Sequence, residues 1–234
     1  MMEIDDNKKP KPEIFHYDDG TASVLRQPTN YKKLRFYQRS DVLYQLTQSF
    51  CKRFFKQYGD RTVDQMVQAA RSSKQNIVEG SEDGRSSMES EIKLLNIAKG
   101  SNSELLEDYL DYLKHTGLAL WQAGHPRYAP MLEFCRQHYM YDDYKDLFPQ
   151  MNTEELANLA ICLCHQVDKA MQKYIERKDR EFTTQGGIRE HMTAARLGQR
   201  ATQQDIIASQ RQEIEALKKE IARMRALLNN QSQD

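Results

Sequence analysis

The stretch QNIVEGSEDGRSS, Gln75–Ser87, lies between two long runs of helical periodicity and decides how the chain folds. Upstream, Val63, Met66, Ala70, Ser73 and Ile77 recur on one helical face. Downstream, Met88, Ile92, Leu95, Ala98, Leu105, Tyr109, Leu113 and Thr116 do the same. The thirteen residues between them carry two glycines, three serines and four acidic or basic side chains at Glu79, Glu82, Asp83 and Arg85. They are read either as an acid/base site or as a corner between antiparallel helices. Gly80 suits a left-handed residue closing the upstream helix. Ser86, three positions before Glu89, suits a capping box opening the next. Turn chemistry therefore accounts for most of the stretch, leaving Glu79 and Arg85 over. Catalysis needs a nucleophile, a metal or a second positioned acid nearby, and none is recognisable in the sequence. No enzyme is expected, and no cofactor or metal.

Outward from this corner, residues 31–58 form a first helix, with Phe36, Leu43, Leu46, Phe50 and Phe54 on its inner face. Gly59 is expected to end it and Asp60 to cap the second. The third helix is expected over about 87–120. The fourth is expected over about 153–180, with Leu156, Leu159, Leu163, Val167, Ala170 and Tyr174 inward and Glu154 and Glu155 favouring its start. Small residues at Ala69–Ser73 and Ala98–Ser103, with Gly100 among them, predict close packing of helices two and three. The fold class is all-α, an antiparallel up-and-down four-helix bundle with a C-terminal helical, coiled-coil extension. The expected domains are a polar arm at 1–30, with one short extended piece in EIFHYDD, and the bundle at 31–180. The bundle carries an insertion at 122–151, and a suffix segment follows at 181–234 with a coiled-coil helix at 205–229.

The corner and its flanks also carry a resemblance. The runs AARSSKQNIVEG (Ala69–Gly80) and IAKGSNSEL (Ile97–Leu105), with Arg85, Ser87 and Glu89 between them, resemble the four-helix-bundle family that includes proteins encoded in intervening sequences of large-subunit ribosomal RNA genes. The family is similar in turn to the accessory protein of diversity-generating retroelements. The resemblance covers about 31–178 and marks Asn76, Glu79, Gly80, Arg85 and Glu89 as the signature turn. The segment FTTQGGIREHMTAARLGQR, Phe182–Arg200, resembles a suffix attached to some of these bundles. The resemblance implies a non-enzymatic helical protein, ring-forming oligomers (pentamers in particular), and a basic surface that meets nucleic acid or a reverse transcriptase. Residues 122–151 are longer than the final connection usual in the family.

The 234-residue chain has 34 basic and 34 acidic side chains, so net charge names no partner. Its distribution is uneven. Helix one carries seven cations against Asp41, a net +6, whereas Ser101–Trp121 carries a net −3. Lys32, Arg35, Arg39, Arg53 and Lys56 fall within about a third of the helix circumference. They are read as a phosphate-binding stripe or as a face that pairs with acidic neighbours. Arg189, Arg196 and Arg200 follow the Gly186–Gly187 pair, which reads as a hinge or an anion-binding helix start. From Ile207 a heptad repeat places Ile207, Ile214, Ile221 and Leu228 at a, and Gln210, Leu217 and Met224 at d. Glu213 and Glu220 at g face Lys218 and Arg225 at e, as in a parallel two-stranded coiled coil. The alternative is one amphipathic helix folding back on the bundle.

A hydrophobic content of 39% and a mean hydropathy of −0.82 fit a helical core with polar extensions. No leader pattern and no membrane-length apolar run are visible, and Cys51, Cys135, Cys162 and Cys164 show no disulfide spacing. Cys135 with His138, and Cys162 and Cys164 with His165, are weak zinc candidates, since buried thiols are ordinary core residues. A cytoplasmic location is expected. The predicted function is a non-catalytic, self-associating helical protein that binds RNA or DNA, or adapts to it, through the basic first helix. The expected self-association is a pentamer or a coiled-coil dimer. The alternative is a structural module that meets another protein and no nucleic acid.

Overall fold

A computed structural model describes residues 15–16, 22–23, 25–26, 29–55 and 61–231, with side chains left aside at 15–16, 22–23, 185 and 226–231. The regular structure of the described residues is helical apart from two short strands, β1 (Phe15–His16) and β2 (Ala22–Ser23), antiparallel with Phe15 opposite Ser23. β1 falls in the piece expected to be extended. The helices are α1 (Arg35–Phe54), α2 (Arg61–Asp83), α3 (Met88–Thr116), α4 (Tyr128–Gln137), α5 (Thr153–Gln185) and α6 (Ile188–Gln231). Two compact units divide the chain. One is Leu25–Gly187; the other combines Met1–Val24 with Ile188–Asp234.

Local chemistry sets the ends, and it differs from the expectation at the decisive corner. Gly80 does not close α2. It is buried three residues inside the helix, where an added Cβ would lie 3.3 Å from Leu94 Cβ. The helix continues because a residue this small lets α3 approach. The cap of α3 is Ser87, not Ser86: Ser87 Oγ accepts from Ser90 N at 3.1 Å, while the Ser86 hydroxyl turns back to donate to Asp83 O. At the other end Gly117, at φ 67°, closes α3 earlier than expected by accepting the left-handed conformation. Asn152 and Glu155 form a reciprocal capping box at the start of α5, each backbone N–H bonded to the other's side chain at 2.9 Å. A 3-10 turn at Tyr31–Lys33 replaces the first turn expected of α1. Lys56, Gly59 and Asp60 lie outside the described residues.

In the Leu25–Gly187 unit, the early part of α1 meets the late part of α2 through Lys74 and Asp41, 2.6 Å apart. It also meets the late part of α5 through Phe36 and Tyr174, whose rings lie 5.3 Å apart. α2 and α3 share the most extensive helix contact. Ser72 and Ser101 join them at 2.9 Å, whereas Gly100 is exposed with open space beside it. The small-residue approach is made by Gly80, on the inner face, and not by Gly100.

The periodic faces form two apolar clusters. One gathers Leu46, Phe50, Leu105, Tyr109, Leu156 and Leu159; the other gathers Phe36, Ile77, Leu95, Val167, Met171 and Tyr174. Burying each such side chain contributes about 1.5–3 kcal/mol. Polar groups that cross the first cluster are paired. Tyr109 OH donates to Thr47 Oγ1 at 3.0 Å, and Thr47 donates on to Leu43 O. The 122–151 connection joins this core through Cys135, Tyr144 and Phe148.

Candidate nucleic-acid interface

Of the five cations expected on one stripe, the four that are described separate in the structure. Lys32 and Arg35 are exposed, with the Arg35 guanidinium 5.3 Å from the Tyr139 ring centre. Arg39 is buried, at 7% exposure. Its Nη2 donates to Cys135 O at 3.1 Å and Arg136 O at 3.3 Å, satisfying the last carbonyls of α4. Burial lowers its pKa from the usual arginine value, and the nearby Arg35 charge lowers it further, against an opposing contribution from Tyr144. Arg53 donates to Phe148 O and, at 2.9 Å, to Met151 O. Arg39 therefore leaves the proposed phosphate stripe, and Arg53, though exposed, has both terminal nitrogens engaged. Both bind the 122–151 connection to α1. An insertion folded on this side needs donors for its helix-end carbonyls, and arginine supplies several at a fixed geometry.

The suffix arginines are placed differently. Arg189, Arg196 and Arg200 are all exposed on α6, and their spacing of seven and four residues puts them on one side of the helix. Gly186, at φ 78°, ends α5, its N–H bonded to Phe182 O at 2.9 Å. Along the same α6, Ile207, Ile214, Leu217, Ile221 and Met224 are 46–52% exposed. No described residue covers this seam. Leu228 lies on the same helix, in the part whose side chains are left aside.

The signature turn is a corner. Asn76 Nδ2 donates to Ser72 O and Oγ, and Glu79 is exposed and accepts from Gln75. Arg85 and Glu89 are exposed, and Arg85 O accepts from Arg26 N at 3.1 Å. The residue that the sequence reading missed is Glu91, which is 1% exposed. Tyr174 OH donates to its Oε1 at 2.7 Å, and Lys178 Nζ lies 3.5 Å from its Oε2. Burial raises the Tyr174 pKa, and the Glu91 charge raises it further. Lys178 also reaches Glu181, which pairs with Arg26 at 3.1 Å. A Cβ at Gly84 would fall 2.6 Å from Glu91 Oε2, so the second glycine of the turn is there to admit this carboxylate. Glu91 sits three residues after Met88 and four before Leu95. A charged residue in phase with an apolar face was the available signal. The arrangement neutralises a buried charge and carries no nucleophile.

Among the described residues no three His, Cys, Asp or Glu side chains are grouped to hold a metal. Three of the zinc candidates have other partners. The Cys135 thiol donates to Cys162, which raises the pKa of Cys135 and lowers that of Cys162. The His138 ring stacks on Phe134 at 4.1 Å. No described helix is long and apolar enough to cross a membrane.

Residues 32–122 match the family model described as 23S rRNA-intervening sequence protein. This stretch is similar to that family. It contains α1, α2, α3 and the signature turn, and it ends before α4. No curated protein and no solved structure matches the chain.

Proposed function

We propose that this is a non-catalytic nucleic-acid-binding or nucleic-acid-associated adaptor protein. In this reading α1, α2, α3 and α5 form an antiparallel up-and-down four-helix bundle, and copies associate through a two-stranded coiled coil of α6. The antiparallel order is supported by end-to-end pairings such as Asp41 with Lys74 and Arg53 with Met151. The observation that carries the functional reading is the exposed Arg189, Arg196 and Arg200 face on the helix that also bears the uncovered Ile207–Met224 seam. Pairing two such helices doubles the arginine face, and phosphate contacts are additive in salt sensitivity. In the other unit, Lys32 and Arg35 are also exposed. The rRNA-intervening-sequence family type agrees loosely with association with nucleic acid. The four free, buried cysteines support a reducing compartment, the cytoplasm, as part of this reading.

The test is fluorescence anisotropy with labelled structured RNA and duplex DNA across a salt series. The expected result is binding that weakens steeply with salt, and a lower log–log slope for the Arg189→Glu/Arg196→Glu/Arg200→Glu variant. Unchanged binding by that folded variant overturns the arginine face. No binding at low salt favours a second reading, a protein-interaction module, for which the uncovered α6 seam is the specific observation.

A further inference from the structure

A cavity of about 640 Å³ runs along the side of α5, within the size range of small-molecule sites. Arg39, Leu110, Leu120, Trp121 and Gln122 contribute from the matched family region; the rest of its lining follows residue 122. It therefore depends on the insertion that sets this chain apart.

Its two ends differ in chemistry. Ile161, with Leu110, Trp121 and Met131, makes an apolar end. That end is rigid: Trp121 Nε1 donates to Glu154 Oε1 at 2.8 Å, and Trp121 N donates to Asn158 Oδ1 at 2.7 Å. Arg39 and Arg136, from α1 and α4, line it near Cys162, and farther along α5 the lining becomes Lys169 and Lys173. From Asn158 to Lys173 is roughly 22 Å at 1.5 Å per residue. Among the described residues no Asp or Glu lines the cavity.

Lys169 and Lys173 have no ion-pair partner among the described residues. Like charges at this i, i+4 spacing repel by about 0.2–0.5 kcal/mol, a cost that a bound anion reverses. Two buried polar atoms on lining residues, Arg39 Nε and Gln166 Oε1, have no protein hydrogen-bond partner. A donor and an acceptor thus remain unused in the wall.

We propose that this groove binds a small amphipathic anion, with its acidic head beside Lys169 and Lys173 and its apolar body against Leu110, Trp121, Met131 and Ile161. Charge complementarity selects the head, and the fixed indole wall selects a body of drug-like size. Cys162 also lines the groove. A bound ligand covers its sulfur.

The probe is 1-anilinonaphthalene-8-sulfonate, compared with its uncharged counterpart N-phenyl-1-naphthylamine. Expected are saturable 1:1 binding of the anionic dye and its displacement by dodecyl phosphate or dodecanoate. The Lys169→Glu/Lys173→Glu variant should bind the anion roughly tenfold or more weakly and the neutral dye unchanged. Both lysines are exposed, so the fold should survive. On the unmodified protein, the anionic dye should also slow alkylation of Cys162 by N-ethylmaleimide. Equal affinity of the two dyes, undiminished anion binding by the folded variant, or unprotected Cys162 overturns the proposal. Displacement by a short RNA and not by dodecyl phosphate overturns it in favour of a polynucleotide surface.

Discussion

Tyr174 and Glu91 join α5 to α3 through a 2.7 Å hydrogen bond to a carboxylate that is 1% exposed. Few buried charges are tolerated without partners, and here the phenol, Lys178 and the missing side chain of Gly84 together make one admissible. Gly84→Ala places a methyl where Glu91 Oε2 lies, and the carboxylate cannot withdraw without leaving Tyr174 and Lys178. A loss of about 1–3 kcal/mol in unfolding free energy is expected from urea denaturation. The loss should shrink in a Glu91→Ala background. An equal loss in both backgrounds would show that the two residues do not interact.

Asp108 gives a pH dependence of unusual sign. Burial first, then Asp111 and Glu104, raise its pKa above the ordinary carboxylate value. From α2, Asp64 and Arg61 line the same cavity. A carboxyl raised in the folded state binds its proton more tightly there than when unfolded. Its favourable contribution is complete below the unfolded pKa, about 3.9, and is lost as pH rises through the higher folded value. Asp108→Asn should therefore raise the melting temperature at pH 7, and the gain should vanish on acidification to about pH 3.5. A gain that is constant across this range, or absent at pH 7, refutes the assignment.

The α6 seam predicts assembly. Ile214→Asn with Ile221→Asn puts two amides into the a positions of a two-stranded coil and should lower the mass measured by light scattering towards the 27.4 kDa of one chain. Removal of residues 205–234 should act likewise. An unchanged mass in both would mean that the helix does not hold copies together.

Among Cys135, Cys162 and Cys164, the thiols should react in a fixed order. Cys162 is the acceptor of the Cys135 hydrogen bond and lies near Arg39 and Arg136, so its thiolate is favoured. Burial raises the pKa of Cys164, and the donated hydrogen bond that of Cys135. Mass spectrometry after brief N-ethylmaleimide treatment should find Cys162 modified before Cys135 and Cys164. Cys135→Ala should slow that reaction by removing the donor.

Arg39→Gln should destabilise the fold by about 1–3 kcal/mol, since it removes donors from two carbonyls at a helix end. It should leave the salt slope of RNA binding unchanged. A reduced slope with unchanged stability would return Arg39 to the phosphate stripe.

The comparison of sequence with structure turns on these same residues. The inner faces of α1, α2, α3 and α5 were legible because a 3.6-residue period records which side chains leave water, and Leu46, Ile77, Leu95 and Leu163 are all buried as that period requires. The resemblance around Ala69–Leu105 was legible because its runs are local. The corner was misplaced by a few residues, with Gly80 inside α2 and Ser87 as the cap, because serine and glycine satisfy several neighbouring cap positions equally well.

What the sequence alone determined, then, is what one helix can record about itself: its period, its apolar face and the exposed Arg189–Arg200 side of α6. Tertiary structure decided the fate of each charge. Arg39 became a clamp because carbonyls 96 and 97 residues away came within 3.3 Å, and Glu91 became a buried anchor because Tyr174, 83 residues on, faced it. A charge is settled by whatever partners folding brings to it, and those partners are distant in sequence.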